Sequence, residues 1–199
     1  MYSLPKIGII IGSTRPARFA DIPAKWLVDI ANRRDDALFE IVDLRDYPMP
    51  FFEEARSPGF VQPVDETARR WGAKMAELDG YVFVTAEYNH SITGVLKNAI
   101  DHLYPEVRRK PAAFLGYGNA GGTRAVQHLK HILTELQVAP VKFAVHIGMI
   151  EMIGMLREGK TMADYPYLDD TAAKMLDDLV WWANTLRAGR AAQVEAVAA

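Results

Sequence analysis

Five short apolar runs, separated by longer segments in which apolar residues return with helical period, restrict this chain to few folds. The clearest run is Tyr81-Val82-Phe83-Val84, which no polar residue interrupts. A strand with one face in water alternates apolar and polar residues, so an unbroken run belongs to a strand covered on both faces. Such runs alternating with helices build βαβ units. The expected class is α/β: a doubly wound, five-stranded parallel sheet in the order 2-1-3-4-5, with helices on both faces. Strands are read at residues 6–11, 39–43, 81–85, 112–116 and 141–147, and helices near 19–33, 64–78, 93–104, 122–137 and 168–186. Pro105, Pro111 and Pro140 mark boundaries, because proline removes a donor and biases the preceding residue away from helix. Residues 46–63 are too rich in proline for an ordinary strand or helix and form a long connection.

With 199 residues, half of them hydrophobic, the chain can bury a core without staples. It contains no cysteine, which excludes disulfides, thiolate metal ligands and thiol redox chemistry. Any redox activity therefore needs a borrowed cofactor. The net charge of −2, with both signs interspersed, offers no basic footprint for nucleic acid and no polybasic segment for a membrane surface. No apolar stretch approaches the roughly 20 residues that span a bilayer, and the strand-like run from Lys6 leaves no room for a secretory leader. A cytoplasmic protein whose partners are small molecules or other subunits is expected. One domain covers residues 1–187, and the alanine-rich residues 188–199 read as a fraying helix or a disordered tail.

Loops at the ends of the first and third strands straddle the switch point where open α/β sheets bind ligands. The first is Gly12-Ser13-Thr14-Arg15-Pro16-Ala17-Arg18-Phe19-Ala20. Backbone N–H groups at a helix start, the hydroxyls of Ser13 and Thr14 and the charges of Arg15 and Arg18 suit a phosphate; the plain alternative is a helix cap with two solvated arginines. The second loop, Glu87-Tyr88-Asn89, sets donors and acceptors beside an aromatic ring and suits a flat heterocycle, or is a polar turn in which Asn89 or Ser91 caps the next helix.

A third loop, Gly116-Tyr117-Gly118-Asn119-Ala120-Gly121-Gly122, has G-x-G-x-x-G spacing. It follows the fourth strand and lacks the acid expected at the end of the next one, which argues against a dinucleotide. Gly118, Gly121 and Gly122 are instead read as backbone that lets a planar ring approach closely, or as a turn needed only for helix entry. His128 and His131 lie three apart on one helix without a third ligand, so no metal is expected. His90 is either a proton donor to substrate or an exposed loop histidine. Trp181-Trp182 and the methionine-rich residues 149–162 read as core or subunit contact. No side chain is assigned a catalytic role.

Taken together, Gly12-Ser13-Thr14-Arg15, Glu87-Tyr88-Asn89-x-Ser91-x-x-Gly94-x-Leu96-Lys97-Asn98-x-x-Asp101 and Gly118-x-x-Gly121-Gly122 resemble the NADPH-dependent FMN reductase family, which includes flavodoxin-like quinone, azo-dye and chromate reductases. The resemblance spans residues 6–145. It implies noncovalent FMN, with Ser13, Arg15, Arg18 and the backbone around Phe19 and Ala20 on the phosphate. Glu87, Tyr88 and Asn89 would border the ring, largely through main-chain groups, and Gly118, Gly121 and Gly122 would flank its pyrimidine side. It further implies NADPH or NADH as donor, a ping-pong reduction of a quinone, azo compound, metal oxyanion or flavin, and a homodimer or homotetramer. A flavodoxin-like electron carrier or a redox-regulatory flavoprotein is the rival reading. Ala86 stands where many relatives carry proline, and Arg18 and Ala20 where serine and asparagine are often found, so charge replaces neutral donors in the first loop.

Overall fold

A computed structural model describes residues 3–198, with side chains as far as residue 193. Five strands, β1 (Lys6–Ile11), β2 (Leu38–Asp43), β3 (Gly80–Ala86), β4 (Pro111–Tyr117) and β5 (Ala139–Ile147), form one parallel sheet in the order β2-β1-β3-β4-β5. This is the expected topology. Every residue of β3 and β4 is buried, as unbroken apolar runs require of central parallel strands.

Side chains alternate across the sheet and feed two helical layers. Ile7, Ile9, Val82, Val84 and Leu115 pack with α1 (Asp21–Ala31) and α6 (Tyr167–Ala198), the latter through Met175, Leu176 and Leu179. Ile10, Tyr81, Phe83 and Phe114 face the other way, onto Trp71 of α2 (Glu66–Glu77), Leu96 of α3 (Gly94–Asp101) and Leu129 of α4 (Thr123–Glu135). The C-terminal ends of all five strands share one edge of this sandwich, and the three loops lie along it.

Several boundaries differ from the sequence reading. Proline stands inside β5, at Pro140, which an edge strand tolerates; the β4–β5 register shifts between Ala112 and Phe114. The methionine-rich stretch contains a helix, α5 (Met149–Arg157), whose apolar residues ring its axis and so gave no helical period. α6 does not stop at Leu186 but runs to Ala198, because alanine is the strongest helix former and Gly189 alone does not end a helix that long. Ala199 lies outside the described residues. The long connection is irregular as expected, after a 3-10 turn at Leu44–Asp46. Asn98 of α3 pins it, accepting from Phe52 N–H at 2.9 Å and donating to Pro50 O at 2.8 Å.

Candidate functional site

The first loop leaves β1 through Gly12, where space is scarce. A Cβ there would stand 2.9 Å from Leu96 Cδ2 and 3.0 Å from Val84 O, so glycine is required by the approach of α3. Gly12 N–H donates to Val84 O at 2.9 Å, and the buried Thr93 hydroxyl donates to Gly12 O while accepting from Leu96 N–H. Thr93 thus caps α3 and stitches the first loop to the second. Next to it Ser13 is buried; its Oγ makes no hydrogen bond of ordinary geometry, with the Tyr117 phenol the polar group beside it. The N-cap of α1, Ala20, supplies no side-chain cap; Ile22 N–H donates to Phe19 O at 3.1 Å and Pro23 has no N–H, so the Asp21 N–H is the donor its first turn leaves over among the described residues.

The two arginines of this loop behave differently. Arg18 has a side chain only 3 % exposed, and all three of its guanidinium nitrogens donate hydrogen bonds. Nε donates to Asp21 at 2.8 Å, Nη1 to Ser13 O at 2.7 Å and to Asp43 at 2.6 Å, and Nη2 to Asp43, while Nη2 also forms an ion pair with Asp21 at 2.6 Å. Asp43 is the last residue of β2, so Arg18 ties the loop to the neighbouring strand. Burial works to raise the Asp43 carboxyl, but Arg18 and the Arg45 N–H more than offset it and hold it below the usual carboxylate range. Arg45 in turn grips the carbonyls of Arg15 and Pro16. Arg15, by contrast, is exposed, pairs with no carboxylate among the described residues, and reaches over the Tyr88 ring at 6.0 Å.

The second loop is a two-residue hairpin. Tyr88 and Ser91 exchange N–H···O bonds of 2.9 and 3.0 Å, and Asn89 and His90 between them take φ of 51° and 67°, the pattern of a type I′ turn. Neither Asn89 nor Ser91 caps α3, a role filled by Thr93. Ser91 Oγ meets His128 Nδ1 at 2.7 Å, so His128 anchors the hairpin to α4; among the described residues no three acids or histidines cluster as a metal site. His90 projects at the exposed tip.

Glu87 points the other way, into the start of α4. Its carboxylate accepts from Arg124 N–H at 3.1 Å and Nε at 2.5 Å, replacing the cap that Gly122 lacks. Burial raises the Glu87 carboxyl; Arg124 and the first N–H groups of α4 overcome this and leave it below the ordinary 4.5. A carboxyl depressed in the folded state contributes stability that is complete above its unfolded value and is lost as pH falls through the folded one. The expected result is that Glu87→Gln flattens the loss of melting temperature between about pH 5 and about pH 3 relative to the parent chain, measured by thermal unfolding across that window.

The third loop turns on three glycines with positive φ: Gly118 at 148°, Gly121 at 67° and Gly122 at 67°. His146 Nδ1 lies 2.8 Å from Gly121 O, and Gly118 N–H donates to Ile147 O at 3.2 Å, so the end of β5 carries the loop. Tyr117 packs on Phe19 with ring centroids 5.2 Å apart, and burial pushes its phenol up to about 12. Glu87 N–H donates to Tyr117 O at 3.0 Å, joining the second and third loops.

All three loops therefore meet, through Thr93 and Gly12, Arg15 and Tyr88, Glu87 and Arg124. Phe19 and Ala20 are buried beneath the first loop, and Asn89 lies on the exposed hairpin tip. Thr93, Asp43, Arg124 and His146 escaped the sequence reading, since only their long-range partners identify them. A cavity of about 270 Å³ adjoins the first loop, lined by Thr14, Tyr47, Met49, Val95 and Asn98 among others. A larger one, about 520 Å³, lies between the long connection and the far ends of α3 and α4 and touches none of the three loops. The unpartnered Ser13 hydroxyl, the uncapped start of α1 and the free Arg15 make a cradle for an anion. The glycines of the third loop are packed against the chain itself: a Cβ on Gly118 would stand 3.2 Å from Glu87 Cβ, one on Gly121 3.1 Å from His146 Cβ and one on Gly122 2.5 Å from Tyr117 N.

Residues 5–151 match the profile of the family described as NADPH-dependent FMN reductase. The chain is 39 % identical over 140 residues to an NAD(P)H-dependent FMN reductase of Schizosaccharomyces pombe, covering 68 % of this chain and 70 % of that one. It is 35 % identical over 135 residues to a quinone reductase of Escherichia coli K12, covering 64 % and 68 %. Among solved structures, the flavoenzyme NAD(P)H:acceptor oxidoreductase FerB of Paracoccus denitrificans superposes with a TM-score of 0.69 at 22 % identity, over 92 % of this chain and 98 % of that one, and supports the fold.

Proposed function

The chain belongs to the NADPH-dependent FMN reductase family, and on that premise we propose that its three loops hold FMN and that it transfers reducing equivalents from NAD(P)H to a small organic acceptor such as a quinone. The observation that carries the assignment is Ser13: a buried hydroxyl without a partner, at a strand end, beside an uncapped helix start. Such an atom is costly unless a ligand meets it.

FMN, when bound, supplies the two-electron chemistry. The residues supply the setting. Ser13 and the Asp21 N–H at the start of α1 would donate to the phosphate, and Arg15 would neutralise it. Arg18 orders the loop from behind. Tyr88 and Asn89 border the ring, Gly118, Gly121 and Gly122 admit it, and the Glu87–Arg124 pair keeps the second and third loops in register. No side chain is required to exchange a proton with the substrate, so the loss of any one polar group costs less than the loss of the flavin site.

A homodimer or homotetramer is part of this reading, supported by the exposure of Phe51 and Phe60 on the long connection. A cytoplasmic location is supported by the cysteine-free composition, and no described helix is long and apolar enough to cross a membrane.

The test is the visible spectrum of the purified protein with FMN, followed by anaerobic NADPH. A bound-flavin spectrum that bleaches with NADPH supports the reductase; bleaching by dithionite alone would make the protein an electron carrier. Ser13→Ala gives a sharper check. It is expected to stabilise the apoprotein by about 1 kcal/mol, because an unsatisfied buried hydroxyl is removed, and to weaken FMN by about tenfold. Calorimetry of the apoprotein and fluorescence titration with FMN read the two opposite signs.

A further inference from the structure

Gly121 and Gly122 share one peptide plane, and without a Cβ on either side that plane turns at little steric cost. One side chain holds it. His146 Nδ1 lies 2.8 Å from Gly121 O across 25 positions of chain. A carbonyl oxygen only accepts, so Nδ1 carries the proton. The contact is closely built: a Cβ on Gly121 would come within 3.1 Å of His146 Cβ, and His146 pairs with Gly116 in the sheet directly beneath the loop.

In a trans peptide the C=O and the following N–H point in opposite directions. Holding Gly121 O toward β5 therefore turns the Gly122 N–H away from β5. The space where a Cβ on Gly118 would stand lies 3.8 Å from Gly122 N and 3.2 Å from Glu87 Cβ. Gly122 is buried, yet its N–H finds no acceptor among the described residues. A buried donor without an acceptor calls for one from outside the chain.

From this we propose that His146 is a positioning residue: it locks the Gly121–Gly122 peptide so that the Gly122 N–H is presented to an acceptor atom on the polar edge of the flavin ring. The proposal rests on the FMN reading above and extends it to a residue outside the three loops.

The test compares His146→Ala with His146→Asn, whose amide Nδ2 can donate from nearly the position of the imidazole Nδ1. In the full-length apoprotein, His146→Ala is expected to shift the Gly122 amide resonance and speed its hydrogen exchange while leaving the melting temperature close to that of the parent. With FMN it should raise Kd on the order of tenfold, the loss of about one hydrogen bond, and displace the visible absorption bands of the bound flavin. His146→Asn should recover most of the affinity and the parent spectrum. An unchanged Gly122 resonance and Kd in His146→Ala, or equal impairment in both variants, overturns the assignment. If the parent chain takes up no FMN, the functional reading fails, and the apoprotein resonance still decides whether His146 holds this peptide.

Discussion

Gly122→Ala is expected to abolish FMN uptake and to cost more than about 3 kcal/mol of stability, the largest effect of any single methyl group in the site. At φ 67° a non-glycine residue already loses about 1–2 kcal/mol. The added Cβ would also stand 2.5 Å from Tyr117 N and 2.8 Å from the Cα and carbonyl carbon of Gly116. Those are backbone atoms of a fully buried strand, so relief requires β4 or the start of α4 to move. Either movement takes Gly118 and Gly121 with it. Gly189→Ala is the control, since a Cβ there meets nothing within 4 Å and a helical alanine should add about 0.5–1 kcal/mol. Urea unfolding and flavin content measure both variants; a Gly122→Ala protein with parental stability and bound FMN would refute the packing argument.

Arg18 and Arg15 should separate cleanly. Arg18→Ala leaves Asp43 without its ion-pair partner, Asp21 with only Arg45 at 3.9 Å, and Ser13 O without its donor. Breaking a fully buried ion pair costs about 3–5 kcal/mol; with the Asp43 side chain 21 % exposed, about 2–3 kcal/mol is expected here. Lysine at this position cannot reproduce the fork and should recover little. Arg15→Ala should change stability by less than about 0.5 kcal/mol, because it removes an exposed group with no carboxylate partner. It should weaken FMN by about tenfold or more and steepen that loss at low ionic strength, where an exposed phosphate contact counts most. Thermal unfolding of the apoproteins and FMN titrations at two salt concentrations test the pair. If Arg18→Ala instead keeps full stability and loses only FMN affinity, Arg18 contacts the phosphate directly.

Glu87 shows how a residue can be found by sequence while the partner of its side chain stays hidden. Its position after the third strand marked it as part of the site, but its carboxylate faces Arg124, 37 positions on, and caps α4. His128 is a similar case: a candidate metal ligand by spacing, it is the anchor of Ser91 in space. In both, the residue type announced a polar task, and only the folded chain supplied the partner.

The sequence by itself determined the fold class, the strand order and the three loops at the strand ends. Unbroken apolar runs such as Tyr81 to Val84 report burial on both faces, and right-handed βαβ connections leave few ways to arrange such strands. Glycines and hydroxyls at strand ends carry their meaning locally, through missing Cβ atoms and free donors. The tertiary structure alone decided which arginine is free, what holds each loop, and where α6 ends. Thr93 meets Gly12 across 81 residues, Arg18 meets Asp43 across 25, and His146 meets Gly121 across 25. Those pairings depend on which strand ends lie side by side once the sheet has formed, a distance in space that no local pattern of residues encodes.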